Sequence, residues 1–495
     1  MRAVLEARWF KSLFGALAIV YFATSLLRFV VHPSGSHTHR QSDTIGMSME
    51  FAQDLKERGL VALDFIAYPK ILQKGLKDGI NASEFPLLGF LTGPFFLVGK
   101  PELGIFISCL SLLLFNFFTA GFFLPRFLSF YGVKISGSSA LLLYLATATL
   151  AHQTNVLMPE GLAFPMLLMG MTLLLEADRN RRRYFLELIP GIILCNLAIA
   201  VKPTVILGLG AYLIIARAGA IGPILASLIL TLFWYAFHVK AILAFAQGPQ
   251  IFAQAQFSPV DRLREVGFSR LGLLMSRETF NGQFPMFTGW LWIACAVWKK
   301  EWKIILAYVV ALVAAIALDG NHIIFHSYYF IGTSFFALIL IARVLAETRN
   351  HSGLHLALTL TLIWGAAYSI RENVWTWARD SDYFRKSQWE TAEKARALIP
   401  KTAHLVTDDG PYPLKLLLIG RSGTNSGTFA LKQCEQAEYK KLELAIVRSS
   451  PKDLRDLPNF LCGRLAETHL INTPYDLWSV TLLPAAARET VPAAE

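Results

Sequence analysis

The residues of this chain that could do chemistry fall in a few short clusters, each beside an apolar run. One is His37-Thr38-His39-Arg40-Gln41-Ser42-Asp43-Thr44, in which Asp43 opens an amphipathic stretch running to Leu55. A carboxylate there can serve as a general base, or more plainly cap the helix that follows. His37 and His39 have a spacing that suits a metal, but two histidines lack the further ligands such a site needs. Glu84-Phe85-Pro86-Leu87 sets an acid beside a proline-led turn. It can flank a surface helix or give a divalent cation an oxygen ligand. Met158-Pro159-Glu160-Gly161 places an acid at a helix start, where the helix dipole favours it. Asp43 and Glu160 are then two acids able to share one site. Lys202, in Val201-Lys202-Pro203-Thr204, can meet a phosphate or extend its ammonium to a membrane interface. For His326-Ser327-Tyr328-Tyr329 the choice is between a site and the aromatic belt of a bilayer. Arg262, Arg264 and Arg270 can pair with a phosphate or coat a surface.

The elements that must position these residues are set by composition. Of 495 residues, 54% are hydrophobic and 16% charged, against roughly 25% charged in soluble domains. The apolar residues come in blocks such as Leu103–Leu124, Ile304–Leu318 and Tyr328–Ala342, near the roughly 20 residues that cross a hydrocarbon core. The chain therefore reads as a polytopic α-helical membrane protein. Its net charge of +11 sits in short clusters between the blocks. That is the pattern of cytoplasmic loops and excludes a nucleic-acid partner. Cys109, Cys195 and Cys295 lie in apolar segments as small hydrophobes. Cys434 and Cys462 could pair if their part of the chain is extracytoplasmic. Arg2, Arg8 and Lys11 precede an apolar run with no small-residue cleavage site after it, so that run reads as an uncleaved first span.

Apolar blocks lie near 12–31, 85–99, 103–125, 138–151, 161–176, 186–201, 203–217, 221–238, 287–298, 304–318, 327–345 and 354–370. If all crossed, the basic clusters would fall on both sides. Block 85–99 is short and broken by Pro86 and Gly93-Pro94, which suits a re-entrant or juxtamembrane helix. Without it, Arg126/Lys134, Arg179–Arg183, Arg217, Lys299–Lys303, Arg343–Arg349 and the N-terminus share one side. About eleven spans result, with a cytoplasmic N-terminus and an outer C-terminus. Residues 1–370 form a membrane domain with a long first outer loop at 32–84, and 371–495 form a small extracytoplasmic α/β domain. The tail shows a helix over Phe384–Leu398 and strands at His404–Thr407, Leu442–Val447 and Trp478–Leu483, with a helix between the last two.

Taken in order, these motifs resemble those of the C-fold glycosyltransferases that use polyprenyl-phosphate-linked sugars, in the branch of bacterial aminoarabinose transferases and protein O-mannosyltransferases. Arg40-Gln41-Ser42-Asp43-Thr44 is similar to that family's first-loop acidic motif, and Glu84-Phe85-Pro86-Leu87 to its Glu-x-Pro-Leu entry to a juxtamembrane helix. Glu160, Lys202-Pro203-Thr204 and His326-Ser327-Tyr328-Tyr329 follow in the family's order, although Asp is common where Glu160 stands. The resemblance covers roughly residues 10–345. It implies an inverting transfer on the outer leaflet of a bacterial inner membrane, from a polyprenyl-phosphate sugar donor to a lipid, glycan or protein acceptor. Asp43 and Glu160 would be the catalytic acids. Lys202, with Arg262, Arg264 and Arg270, would bind the donor phosphate, and Arg40, His326, Tyr328 and Tyr329 would contact substrate. Glu84 would hold a divalent metal ion (Mg, Mn or Zn).

Two other membrane classes fit the composition. A lipid or solute transporter would place its ionisable residues near the bilayer midplane, whereas here the acids cluster at one face. An O-antigen polymerase or ligase would centre its chemistry on Arg and His of a large outer loop. The order of acidic motifs fits that class less well.

Overall fold

A computed structural model describes residues 8–31, 38–59, 85–179, 184–215, parts of 222–236, 259–319, 327–380, 388–408, 414–419, 423–425, 442–449, 460–461, 464–472 and 477–485. The chain divides into two compact units. One comprises Met1–Phe29, Ser83–Leu88 and Ser108–Trp375; the other comprises Val30–Ala82, Gly89–Ile107 and Thr376–Glu495.

The first unit is helical. Helix α1 covers Arg8–Phe29, and α2 (Thr38–Arg58) follows it in the chain as part of the second unit. Block 85–99 is broken, as Pro86 and Gly93-Pro94 suggested. Six-residue α3 (Leu87–Thr92) gives way to a tighter 3-10 turn over Gly93–Val98. Helix α4 (Pro101–Phe118) continues through a wide π-turn (Thr119–Phe123) into α5 (Leu124–Ser129). Next come α6 (Gly137–Ala146), α7 (Ala148–Thr154), α8 (Pro159–Arg179) and α9 (Tyr184–Val201). Ser136 caps α6, its hydroxyl accepting from the Ser139 amide at 3.2 Å. Helices α8 and α9 approach closely because Gly170 and Gly191 meet there. A Cβ on Gly170 would stand 2.6 Å from Cys195 Sγ, the small-residue packing typical of helices in lipid. A 3-10 turn (Pro203–Gly208) then leads into α10 (Leu209–Ile215).

Helix α11 (Pro259–Arg277) bends at Gly267, whose φ of 71° a side chain would resist, and ends in a π-turn over Glu278–Gly282. Helices α12 (Gly289–Trp298) and α13 (Trp302–Asp319) follow. A 3-10 turn (Ser327–Thr333) precedes α14 (Ser334–Glu347), and α15 covers Ser352–Asp380. Among the described residues five helices are long and apolar enough to cross a membrane: Ser12–Phe29, Pro101–Ser129, Pro159–Arg179, Tyr329–Glu347 and Ser352–Arg379. Each coincides with an expected span.

Several basic loops meet one another. Arg126 pairs with Glu176 at 2.6 Å, and Arg179 lies over the Phe130 ring at 4.1 Å. Arg343 pairs with Glu301 at 2.7 Å and donates to the Tyr131 carbonyl at 3.3 Å. Arg349 donates to the Lys134 carbonyl at 3.2 Å. The turns after α5, α8, α12 and α14 thus gather at one end of this unit.

In the second unit α2 sets Met47 against Gly89 and Phe51 against Gly93 at the start of the 3-10 turn, and Ser48 bonds Thr92 at 2.7 Å. The tail adds α16 (Trp389–Leu398), β1 (His404–Thr407), α17 (Leu414–Ile419), β2 (Gly423–Asn425), β3 (Leu444–Ser449), the short β4 (Phe460–Leu461) and β5 (Arg464–Leu465), β6 (Glu467–Asn472) and β7 (Leu477–Leu483). Its sheet runs β2-β1-β3-β7-β6, parallel on the β1 side and antiparallel on the β7 side. Val406, Leu444, Ile446 and Leu483 form its core. Arg396 donates to the carbonyls of Leu418 and Ile419 at 2.9 and 2.6 Å, closing the end of α17. The expected helix between the last two strands lies partly outside the described residues; the described part, 464–472, is mostly strand.

Candidate active site

Glu160 occupies the first turn of α8, just after Pro159, whose missing N–H costs nothing at that position. Its side chain is fully buried. Lys202 stands where α9 stops. The residue before a proline is pushed out of the helical region, and Lys202 accordingly adopts an extended φ of −146° and ψ of 99° ahead of Pro203. That break aims the ammonium at α8, where Lys202 Nζ lies 2.7 Å from Glu160 Oε1, with 5% and 0% of the two side chains exposed. Neither carboxylate oxygen makes a well-aligned hydrogen bond among the described residues. The contact is a close ion pair whose attraction depends on distance rather than direction.

The Tyr329 ring sits 4.5 Å from the same ammonium, near enough for its π-face to stabilise the charge. Tyr329 also packs on Val156 and Met158, in the segment that leads to Glu160. Its 3-10 turn lies against that of Pro203–Gly208, at a spacing that only glycine allows. A Cβ on Gly332 would meet the Thr204 carbonyl at 2.6 Å. Acid, ammonium and aromatic face thus converge from three elements, in a place nearly closed to solvent. Two buried charges are costly unless paired; here they are paired. An ammonium backed by an aromatic ring and a carboxylate is equipped to exchange that carboxylate for another anion, and the released carboxylate to accept a proton or a hydroxyl.

The other expected residues fall as follows. Phe85 donates its amide to the Ala200 carbonyl at 3.3 Å, which brings the described end of the Glu84-Phe85-Pro86-Leu87 motif beside the turn bearing Lys202. Glu84 and His326 lie outside the described residues, as do Cys434 and Cys462. Arg40 and Tyr328 lie on α2 and on the 3-10 turn before α14. Asp43 is half-buried in the second turn of α2, with Gln41, Ser42 and Thr44 buried around it. The helix begins at Thr38, so Asp43 is not its cap. Arg262, Arg264 and Arg270 all lie on α11; Arg264 and Arg270 are exposed, and Arg264 faces Asp261 at 3.6 Å. No group of three or more His, Cys, Asp or Glu that could hold a metal occurs among the described residues.

Two polar clusters went unnoticed in the sequence. One joins Tyr21, Arg28, Asn155 and Asn373, all buried. The other is Glu278, buried in the π-turn outside the apolar spans and paired with Arg277 at 2.9 Å. Burial pushes the Glu278 carboxyl up to about 7, with Arg277 opposing the rise. Arg28 was the readable signal, as the one charge at the far end of the first apolar run. Glu278 gave none, because an Arg-Glu step in a loop is ordinary.

No protein-family model matches the sequence, and no curated protein matches it. Two solved structures resemble it along nearly their whole length. ArnT from Cupriavidus metallidurans in the apo state superposes with a TM-score of 0.57 at 12% identity, covering 95% of this chain and 97% of that one. The same protein bound to undecaprenyl phosphate gives a TM-score of 0.51 at 12% identity, with coverage of 95% and 97%. At that identity the likeness is one of fold, and this chain has the fold of ArnT, the C-fold that the order of its loop motifs led one to expect.

Proposed function

We propose that this chain is a membrane glycosyltransferase that moves a sugar from a polyprenyl-phosphate carrier to an acceptor, by inversion, on the outer face of a bacterial inner membrane. The observation that carries the reading is the buried Lys202–Glu160–Tyr329 cluster, set in the fold of a protein solved with undecaprenyl phosphate. Eleven spans, a cytoplasmic N-terminus and an extracytoplasmic tail belong to the same reading.

The donor phosphate replaces Glu160 at the Lys202 ammonium, with α11 arginines supplying further positive charge. An acceptor hydroxyl attacks the anomeric carbon from the face opposite the phosphate. The new carbon–oxygen bond forms as the sugar–phosphate bond breaks, and polyprenyl phosphate leaves with the electron pair. Asp43 takes the hydroxyl proton, and Glu160 orients the acceptor or shares that task. The leaving group is already a good one, so positioning and charge stabilisation supply most of the acceleration. A divalent ion held by Glu84 would offset charge on the leaving phosphate.

The test is transfer of radiolabel from polyprenyl-phosphate sugars in nanodiscs, comparing wild type with Asp43→Asn and Glu160→Gln. Label reaching an acceptor with wild type, and falling to a small residual rate with both variants, is the expected result. Translocation of the lipid without any transfer would point to a transporter instead.

A further inference from the structure

Glu160 follows a short segment that polar side chains hold at both ends. At its start, Tyr21 of α1 donates its hydroxyl to the Ala151 carbonyl at 2.5 Å, lies 2.6 Å from the Thr154 hydroxyl, and accepts from the Asn155 amide. The same amide donates to Asn373 Oδ1 of α15 at 3.0 Å, and Arg28 donates to that oxygen at 3.3 Å. Asn373 in turn donates to Ser25 at 3.2 Å, tying α15 back to α1. At the far end Asn116 of α4 donates to the Gly161 carbonyl at 2.9 Å, and Tyr144 donates to Asn116 Oδ1 at 2.6 Å. Gly161 fits only as glycine, since a Cβ there would stand 2.6 Å from the Gln153 carbonyl. All these side chains are buried. Polar groups in such surroundings are costly unless their bonds are made, yet here they converge on one eleven-residue stretch, 151–161. The apolar packing of the helices does not require that convergence.

We infer that Tyr21, Asn155 and Asn373 are positioning residues that fix the 151–161 segment so that Glu160 is presented at Lys202. This inference rests on the reading of Glu160 as a functional acid. Loss of the Tyr21 hydroxyl takes one bond from the Ala151 carbonyl, which keeps Thr154, and one from the Asn155 amide, which keeps Asn373; the start of α8 loosens while the helices stay in place.

The experiment uses the full-length protein in nanodiscs with Tyr21→Phe, Asn155→Ala and the double variant. Each single variant is expected to lower kcat about ten-fold with donor KM changed less than two-fold, and the double variant to be no worse than either single. In a Glu160→Gln background, Tyr21→Phe should lower the residual rate no further, because its effect passes through the acid. Hydrogen exchange should show amides 151–161 losing protection in Tyr21→Phe, while those of 334–347 do not. Multiplicative losses in the double variant, an undiminished effect of Tyr21→Phe without Glu160, or unchanged protection of 151–161 would each overturn the assignment. A wild type that transfers nothing would count against the transferase reading alone, since the exchange measurement still decides whether Tyr21 holds this segment.

Discussion

At the residue scale the Lys202–Glu160 pair dominates, because both charges are almost entirely out of water. Removing one partner strands the other, which costs roughly 3–5 kcal/mol for a buried pair. Lys202→Met should therefore lower the unfolding temperature sharply, and adding Glu160→Gln should restore most of it; thermal unfolding of the purified variants checks this. If Lys202→Met alone is as stable as wild type, the carboxylate is not held by that ammonium. Glu278 gives a second, independent handle through pH. Its folded-state carboxyl titrates at about 7, above the usual 4.5, so the folded protein holds a proton that the unfolded chain releases. Its contribution is full below about pH 4.5 and is lost as pH rises through 7, a change of about 3 kcal/mol at most. Stability measured from pH 4.5 to 8 should fall more steeply for wild type than for Glu278→Gln, and parallel curves would mean that Glu278 is charged throughout.

At the scale of elements the site depends on where helices stop. Pro203 ends α9 at Lys202 and forces that residue into extended backbone. Pro203→Ala removes the constraint, lets the helix run on, and swings the ammonium away from α8. The expected result is a donor KM raised several-fold while the fold survives, read from donor titrations in the transfer assay. An unchanged KM would mean that the 3-10 turn holds Lys202 without help from the proline. Breaks of this kind were readable in the sequence, since Pro86, Gly93-Pro94 and Pro203 each mark an interruption that the structure contains. Strands β1 and β7 were readable too, as short β-branched runs next to turns. Strand β6 was not. Its Glu467-Thr468-His469 start looks like a solvated surface, and only pairing with β7 makes it a strand. The π-turn that buries Glu278 was equally invisible, because its partners are distant in the chain: Thr149 donates to the Gly282 carbonyl at 2.9 Å, and Thr279 lies 3.4 Å from the Tyr308 hydroxyl. Of the site itself, the sequence supplied the members Glu160, Lys202 and Tyr329. The Lys202–Glu160 contact joins residues on different helices, and the Tyr21–Asn155–Asn373 clamp joins residues more than a hundred positions apart, separations that helical periodicity cannot bridge.

At the scale of the whole molecule, the gathering of basic turns bears on orientation. Arg126, Arg179, Arg343 and Arg349 contact one another's loops, so the turns after α5, α8, α12 and α14 must share a membrane face if the helices between them cross. The bias of cytoplasmic loops toward Lys and Arg then assigns that face to the cytoplasm. Phe287 is exposed in the loop that precedes α12, and His351 is exposed in the turn that follows α14. Single cysteines at these positions, with the native cysteines blocked, separate the possibilities. A membrane-impermeant maleimide should label Phe287→Cys in spheroplasts and His351→Cys only after the membrane is opened. The reverse pattern would turn the molecule over and put the Lys202 cluster at the cytoplasmic face. Labelling of both in intact spheroplasts would mean that the helices between them do not cross as an odd number. Only the first outcome lets a donor on the outer leaflet present its phosphate to Lys202, so the orientation measurement constrains the chemistry as strongly as any substitution in the site.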